Sequence, residues 1–264
     1  MHDRELSSLL EFAVAQARRA GALTLEYFHG TTPVERKADR SPVTAADRGA
    51  EALLREAIVA AYPAHGILGE EFGEQPGREP GRWILDPLDG TQSFISGVPL
   101  FAVLVGFEWR GAMLAGVIHL PALDETVWAA SGQGCWWNGR RARVSGVGEL
   151  AAARVLTTSA NLLEQHGRAA AYERLRRRAA VDRGSYDAYG YVLVATGRAE
   201  VVVDPVMNIW DNAALLPVVV EAGGSFTDWD GRATHASPHA VATNGALFAA
   251  TMAALQGRSE EESR

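Results

Sequence analysis

Cysteine is almost absent from the sequence: Cys135 is the only one in 264 residues. A single thiol excludes intramolecular disulfides and thiolate metal clusters, and it fits a reducing compartment. No apolar run reaches the roughly 18 residues that would span a bilayer, and the opening MHDRELSS has no signal-peptide character, so a cytoplasmic location without a membrane partner is expected. Basic runs are equally scarce. Only residues 174–178 (RLRRR) cluster positive charge, against a formal net charge of −7, which disfavours nucleic acid as a partner and leaves that run to be read as a solvated helix face. There is no GxSxG elbow and no Cys/His pairing, so nothing argues for a covalent intermediate. His2, His29, His65, His119, His166, His235 and His239 show no metal-ligand spacing such as HExxH and read as surface or packing residues. Internal repeats are missing as well, and low complexity is confined to the C-terminal tail.

What is present is enough apolar material, 47% of residues, to bury the core of one large domain or two modest ones. Leu6, Leu9, Leu10, Ala13, Ala17 and Gly21 recur at helical spacing, predicting an amphipathic helix to about Phe28, with a turn at residues 30–33. Thr44 followed by Asp47 resembles the capping box of a second helix ending near Ala61. A short strand at residues 66–68 leads to Glu70 and Glu71, and residues 73–81 read as a flexible connection of turn formers. From Phe101 the pattern becomes that of an antiparallel meander, in which Trp128, Trp136 and Trp137 are packing residues because no basic residues are interleaved with them. The second half begins near Ala151: a strand at 155–158, a helix at 162–178, a helix at 188–196 closed by Gly197, a strand at 201–203, a helix at 210–222 and a strand at 225–227. The tail at 257–264 is polar and expected to be disordered.

The chemistry concentrates in residues 83–94, WILDPLDGTQSF. An apolar strand delivers Asp86 and Asp89 to one corner that Pro87 stiffens and Gly90 lets turn. Two like charges held that close repel unless a cation sits between them, and carboxylate, carbonyl and water oxygens are the ligands that hard cations such as Mg²⁺ prefer. Gly90 and Thr91 offer amides at a bend that suit an anion, and the Thr91 hydroxyl is placed to position a water. Glu70 ends a neighbouring strand and is a candidate to join the same cation, since ligand sites in open α/β sheets form at the carboxyl ends of strands. Each residue has a plainer reading: Asp47 as a helix cap, Asp211 as an acid in a first helical turn, Glu70 and Lys37 as solvated surface charges.

Taken together, GEE at 69–71, WILDPLDGTQSF at 83–94 and WDNAALLPVVVEAGG at 210–224 resemble the inositol monophosphatase family of metal-dependent, lithium-sensitive phosphatases, over nearly the whole chain. The resemblance implies a five-layer α/β/α/β/α sandwich of the inositol monophosphatase/fructose-1,6-bisphosphatase type. It is expected as a single domain over 1–264, with subdomains of about 1–150 and 151–256, usually dimeric. By motif position, Glu70, Asp86, the Leu88 carbonyl, Asp89 and Asp211 would hold two or three Mg²⁺ ions, with Mn²⁺ as a substitute. Thr91, oriented by Asp47, would position the attacking water, with Glu70 counted among the catalytic groups. Gly90 and Thr91 amides would hold phosphate, and Lys37 matches a family lysine. Residues 183–205 (RGSYDAYGYVLVATGRAEVVVDP) and 226–231 (FTDWDG) are similar to the histidinol-phosphate phosphatase branch. There Asp187 and Asp204 would face the substrate's amine or hydroxyls, and Ser185 and Tyr186 stand where the family usually has two glycines. Asp187 also reads as an N-cap of the following helix. The activity implied is hydrolysis of a small phosphate monoester, histidinol phosphate to histidinol. An inositol-1-phosphatase, a broad sugar or nucleotide monophosphatase, and a non-catalytic binding module remain as alternatives.

Overall fold

The computed structural model describes residues 2–30, 33–37 and 42–258. Its first part runs α1 (Asp3–Tyr27), β1 (Glu35–Arg36), β2 (Pro42–Val43), α2 (Ala45–Ala61), β3 (Gly66–Gly69), β4 (Gly73–Gln75), β5 (Gly81–Asp89), α3 (Thr91–Ile95), β6 (Ala102–Trp109), β7 (Ala112–Leu120), β8 (Glu125–Ala130), β9 (Gly134–Trp137) and β10 (Arg140–Arg141). The second part runs β11 (Arg154–Leu156), α4 (Ala160–Gln165), α5 (Ala169–Arg176), β12 (Val181–Arg183), α6 (Asp187–Ala195), β13 (Val201–Asp204), α7 (Ile209–Glu221), β14 (Ser225–Thr227), β15 (Ala240–Thr243) and α8 (Phe248–Gln256).

Strands β10-β9-β8-β7-β6-β5-β3-β4 form one large sheet and β12-β11-β13-β15-β14 a smaller one. The large sheet is an antiparallel meander from β5 to β10, as the alternation after Phe101 predicts, with β3 added parallel to β5. Helices α1 and α2 cover its outer face, where Leu6, Leu9, Ala13 and Ala17 of α1 meet Leu54 and Ile58 of α2 over Trp83, Leu85 and Phe107. On its inner face lie α6 and α7, buried between the two sheets with Leu104, Ile118, Tyr191, Val202, Leu215 and Val218. The far face of the small sheet packs on α5 and α8 through Val155, Val201, Leu175 and Leu255. The result is the α/β/α/β/α sandwich. No described helix is long and apolar enough to cross a membrane.

One close approach sets the height of α7. Gly106 and Gly116 pair across β6 and β7. A Cβ on Gly116 would lie 2.3 Å from the Ala214 carbonyl oxygen, and one on Gly106 would lie 2.8 Å from the Ala213 Cβ. Helix α7 therefore rests on bare sheet backbone, less than one turn from Asp211.

Four expectations change. The helix predicted at 162–178 is two, α4 and α5, because the chain passes through the left-handed region at Gly167 (φ 68°). Within the 73–81 connection, β4 pairs antiparallel with β3. The basic run 174–178 is not merely solvated: the Arg174 guanidinium donates to the Ala254 and Leu255 carbonyls at 3.0 and 2.5 Å, closing the end of α8. Arginines from elsewhere in the fold and from the adjoining hairpin lie over the three tryptophans, Arg18 on Trp128, Arg141 on Trp136, Arg140 and Arg198 on Trp137, so all three rings meet cations, and Trp128 and Trp137 pack against the core as well. At the C-terminus Gly257 and Arg258 are ordered, the Arg258 amide donating to Ala253, while 259–264, the rest of the expected disordered tail, lie outside the described residues.

Candidate active site

Residues three apart on a regular strand face opposite sides of a sheet, so Asp86 and Asp89 should diverge. They do not. The register between β5 and β6 slips between them, with Asp86 opposite Leu104 and Asp89 opposite Ala102, so three residues of advance on one strand meet two on the other. This bulge turns both carboxylates to the inner face, where Leu104 and Ala102 also point. There α7 supplies Asp211 from its first turn, fixed by the Asn208 amide, which donates to Asp211 Oδ2 at 2.7 Å. Carboxylate oxygens of Asp86, Asp89 and Asp211 all lie within 4.8 Å of one another. Burial, then the charges of Glu70, Asp89 and Asp211, pushes the Asp86 carboxyl well above its usual range, and burial followed by the Asp187 and Asp211 charges does the same to Asp89. Asp211 is pushed up to about 7, chiefly by burial, with the Asn208 amide working against it. Three hard-oxygen donors that are costly to ionise together are suited to a divalent cation.

Beside this group the Thr91 hydroxyl lies 3.3 Å from Asp47 Oδ1 and 3.2 Å from the Leu88 carbonyl oxygen. Asp47 is both the cap and the partner of Thr91: its Oδ2 accepts the Thr44 amide at 2.7 Å and the Thr44 hydroxyl at 2.6 Å, which stops the carboxylate from turning. Gly90, at φ 81°, starts α3, and first-turn amides of a helix have no partners within it.

Glu70 stands outside the three-aspartate group, although its charge reaches Asp86 and Asp211. Its Oε1 is held by Lys37 Nζ at 2.7 Å, and the same ammonium is 2.5 Å from Glu71 Oε1. Lys37 is therefore no free surface charge. Its pKa is raised because the bonds to Glu70 and Glu71 outweigh burial, which works against the charge. Asp187 does not cap α6. Tyr186 occupies the cap position, and the first-turn amide of Ala188 donates instead to Asp89 Oδ2 at 2.7 Å. Asp187 Oδ2 accepts from the Ser93 hydroxyl at 3.2 Å, with its backbone at φ 43° and that of exposed Ser185 at φ 66°. Burial pushes the Asp187 carboxyl up to about 6. Asp204 is fully buried, its Oδ1 taking the Thr158 amide and Thr157 hydroxyl and its Oδ2 the Tyr191 hydroxyl at 2.9 Å.

The sequence pattern of the inositol monophosphatase family matches residues 5–261. The chain belongs to the inositol monophosphatase family. Among relatives, it is 46% identical to a histidinol-phosphatase of Chlorobaculum parvum over 84% of this chain and 86% of that protein. It is 36% identical to an inositol-1-monophosphatase of Mesorhizobium japonicum over 85% and 87%. Among solved structures, the extragenic suppressor protein SuhB from Bartonella henselae superposes with a TM-score of 0.89 at 30% identity, covering 94% of this chain and 98% of that one.

Two groups in this inositol monophosphatase family member escaped sequence reasoning. Ser93 ties α3 to Asp187 across 94 residues of chain, and no local signal marks it. Glu51 is fully buried on α2 and accepts the amides of Glu71 and Phe72. Its signal was available: an acid four residues after Asp47 falls on the same helical face, between Ala50 and Leu54 of the buried stripe.

Proposed function

We propose that this protein is a divalent-cation-dependent phosphatase whose substrate is histidinol phosphate. The observation that carries the reaction class is the convergence of Asp86, Asp89 and Asp211 beside the Thr91–Asp47 pair. Asp86, Asp89 and Asp211 would hold Mg²⁺ or Mn²⁺, with Glu70 and the Leu88 carbonyl as further oxygens. When bound, the cation supplies positive charge against the phosphoryl oxygens and makes a water acidic enough to attack.

The chain's own residues do the rest. The Thr91 hydroxyl proton is committed to Asp47 or to the Leu88 carbonyl, which leaves the hydroxyl oxygen free to accept a hydrogen bond from a water and hold it in line. Amides at the start of α3 meet the phosphate. No side-chain nucleophile is needed; the Cys135 thiol is buried on β9 and pushed up to about 12 by that burial. Asp187, on the rim of the same centre, offers a carboxylate to a cationic leaving alcohol, which histidinol is and inositol is not. The 46% identity to a histidinol-phosphatase supports that choice.

The test is kcat/KM on histidinol phosphate, inositol-1-phosphate and a nucleotide monophosphate, with Mg²⁺ and after chelation. Histidinol phosphate should lead, and activity should vanish with EDTA and return with Mg²⁺. Turnover that survives chelation would remove the metal, and equal or better turnover of inositol-1-phosphate would remove the substrate. Lithium inhibition, a cytoplasmic homodimer and a single domain belong to the same reading, and an inhibition curve, light scattering and a single cooperative unfolding transition test the first, the dimer and the domain in turn.

A further inference from the structure

The hairpin between β3 and β4 is closed by only three residues, Glu70, Glu71 and Phe72. Its inward amides find no partner in the sheet. They converge on Glu51 of α2: the Glu71 amide donates to Oε2 at 2.7 Å and the Phe72 amide to Oε1 at 3.2 Å. Arg55, one turn further along α2, donates to Glu51 Oε1 at 2.7 Å, reaches the Gly73 carbonyl with its other nitrogen and lies over the Phe72 ring. The Glu51 carboxylate fills the place a side chain on Gly69 would take: a Cβ there would sit 2.0 Å from Oε1. On its other side the loop is pinned by the Glu70 amide, which donates to the Leu85 carbonyl of β5, the residue before Asp86.

We infer that Glu51 is the positioning residue for Glu70: it anchors the β3–β4 turn against α2 so that Glu70 is presented to the Asp86, Asp89 and Asp211 group, and it thereby sets the affinity of that group for its divalent cation. This rests on the metal reading of the site. Glu51 itself touches neither the aspartates nor a substrate. It acts through two backbone amides, and a buried carboxylate is the group suited to hold two converging N–H donors while answering an arginine. The same helix carries Asp47 one turn earlier, so α2 orients the Thr91 hydroxyl from one turn and the Glu70 loop from the next.

The test is Mn²⁺ binding, followed by calorimetry on the metal-free full-length protein, for wild type, Glu51→Gln, Glu70→Gln and the double variant. Residues that orient metal ligands typically change affinity roughly 10- to 100-fold. Glu51→Gln should weaken Mn²⁺ by about tenfold on that scale while kcat at saturating Mg²⁺ stays near wild type. In the Glu70→Gln background the same change should add little. Equal losses with and without Glu70 would show that Glu51 only supports the fold, and wild-type affinity in Glu51→Gln would overturn the inference outright. Wild-type protein that takes up no Mn²⁺ would instead sink the metal reading. Gly69→Ala disturbs the same contact from the loop side and should give the same loss. Hydrogen exchange on wild type needs no variant: the Glu71 and Phe72 amides should be protected in the metal-free protein, and free exchange at both would refute the anchor.

Discussion

Asp187→Asn isolates a single charge. The amide oxygen can still accept from Ser93, Ala188 keeps its bond to Asp89, and asparagine tolerates the left-handed backbone at φ 43°, where alanine would add about 1–2 kcal/mol of strain. What disappears is the attraction for a protonated amine. A hydrogen bond to a charged group contributes about 1.5–3 kcal/mol against about 0.5–1.5 for a neutral one, a difference of about 1–1.5 kcal/mol, so kcat/KM on histidinol phosphate should fall by roughly five- to tenfold. Inositol-1-phosphate has no amine to lose and should change little, so the ratio between substrates records nearly the whole effect. The ratio has a pH arm too. Burial holds the carboxyl at about 6, so below that pH wild type is neutral at this position, and its preference should decline as pH falls through about 6. The second phosphate ionisation, near pH 6, is common to both esters and cancels, and the substrate imidazole, near 6.5, is common to wild type and variant. The difference between the two profiles is therefore the titration of Asp187. An asparagine variant with the wild-type ratio, or one that loses both substrates alike, would refute the role given to this residue.

Asp86→Asn should abolish Mg²⁺-dependent turnover and leave a folded protein by circular dichroism; near-normal kcat at ordinary Mg²⁺ would dismiss the cluster as the reactive centre. Thr91→Ala should lower kcat far more than it raises KM, Asp47→Asn should resemble it, and the double variant should be little worse than either, because the two act as a unit. The metal-free protein should be more stable in mild acid. Asp187 and Asp211 have folded values of about 6 and about 7 against the ordinary aspartate value of 3.8, so the folded state holds protons that the unfolded state releases, and Tm should fall as pH rises from about 4 through about 7. Saturating Mg²⁺ should remove that slope, and a metal-free Tm that climbs over this range would contradict the burial argument.

Much of the fold was written in periodicity. The α1 stripe, the capping box at Thr44 and Asp47 and the meander after Phe101 all depend on neighbours in sequence, and all stand in the structure. Elements decided by pairing with distant chain were harder to see: β4, β12 and β15 are too short to show alternation by themselves. The acids were legible as residues but not as geometry. That Asp86 and Asp89 share a face depends on a one-residue slip against β6, and that Asp89 receives the Ala188 amide in the first turn of α6 depends on a contact spanning 99 residues. Lys37 reads locally as a surface charge, and only the folded chain brings Glu70 and Glu71 to it.

The bare glycine pair under α7 makes the chemistry vulnerable at a distance. A methyl group at Gly116 would meet the carbonyl oxygen of Ala214, and one at Gly106 would meet the methyl of Ala213, so either lifts the helix whose first turn carries Asp211. A mutational scan would then record lesions in the middle of a sheet that look catalytic, with ample protein and little activity. The two lesions differ in their genetics. Gly106→Ala has a partial intragenic suppressor within reach, Ala213→Gly, which removes the methyl at 2.8 Å and leaves the Met113 Cε at 2.9 Å and the main-chain carbon of residue 213 at 3.0 Å to give way. Gly116→Ala has none of that kind, since its obstacle is main chain that no substitution removes.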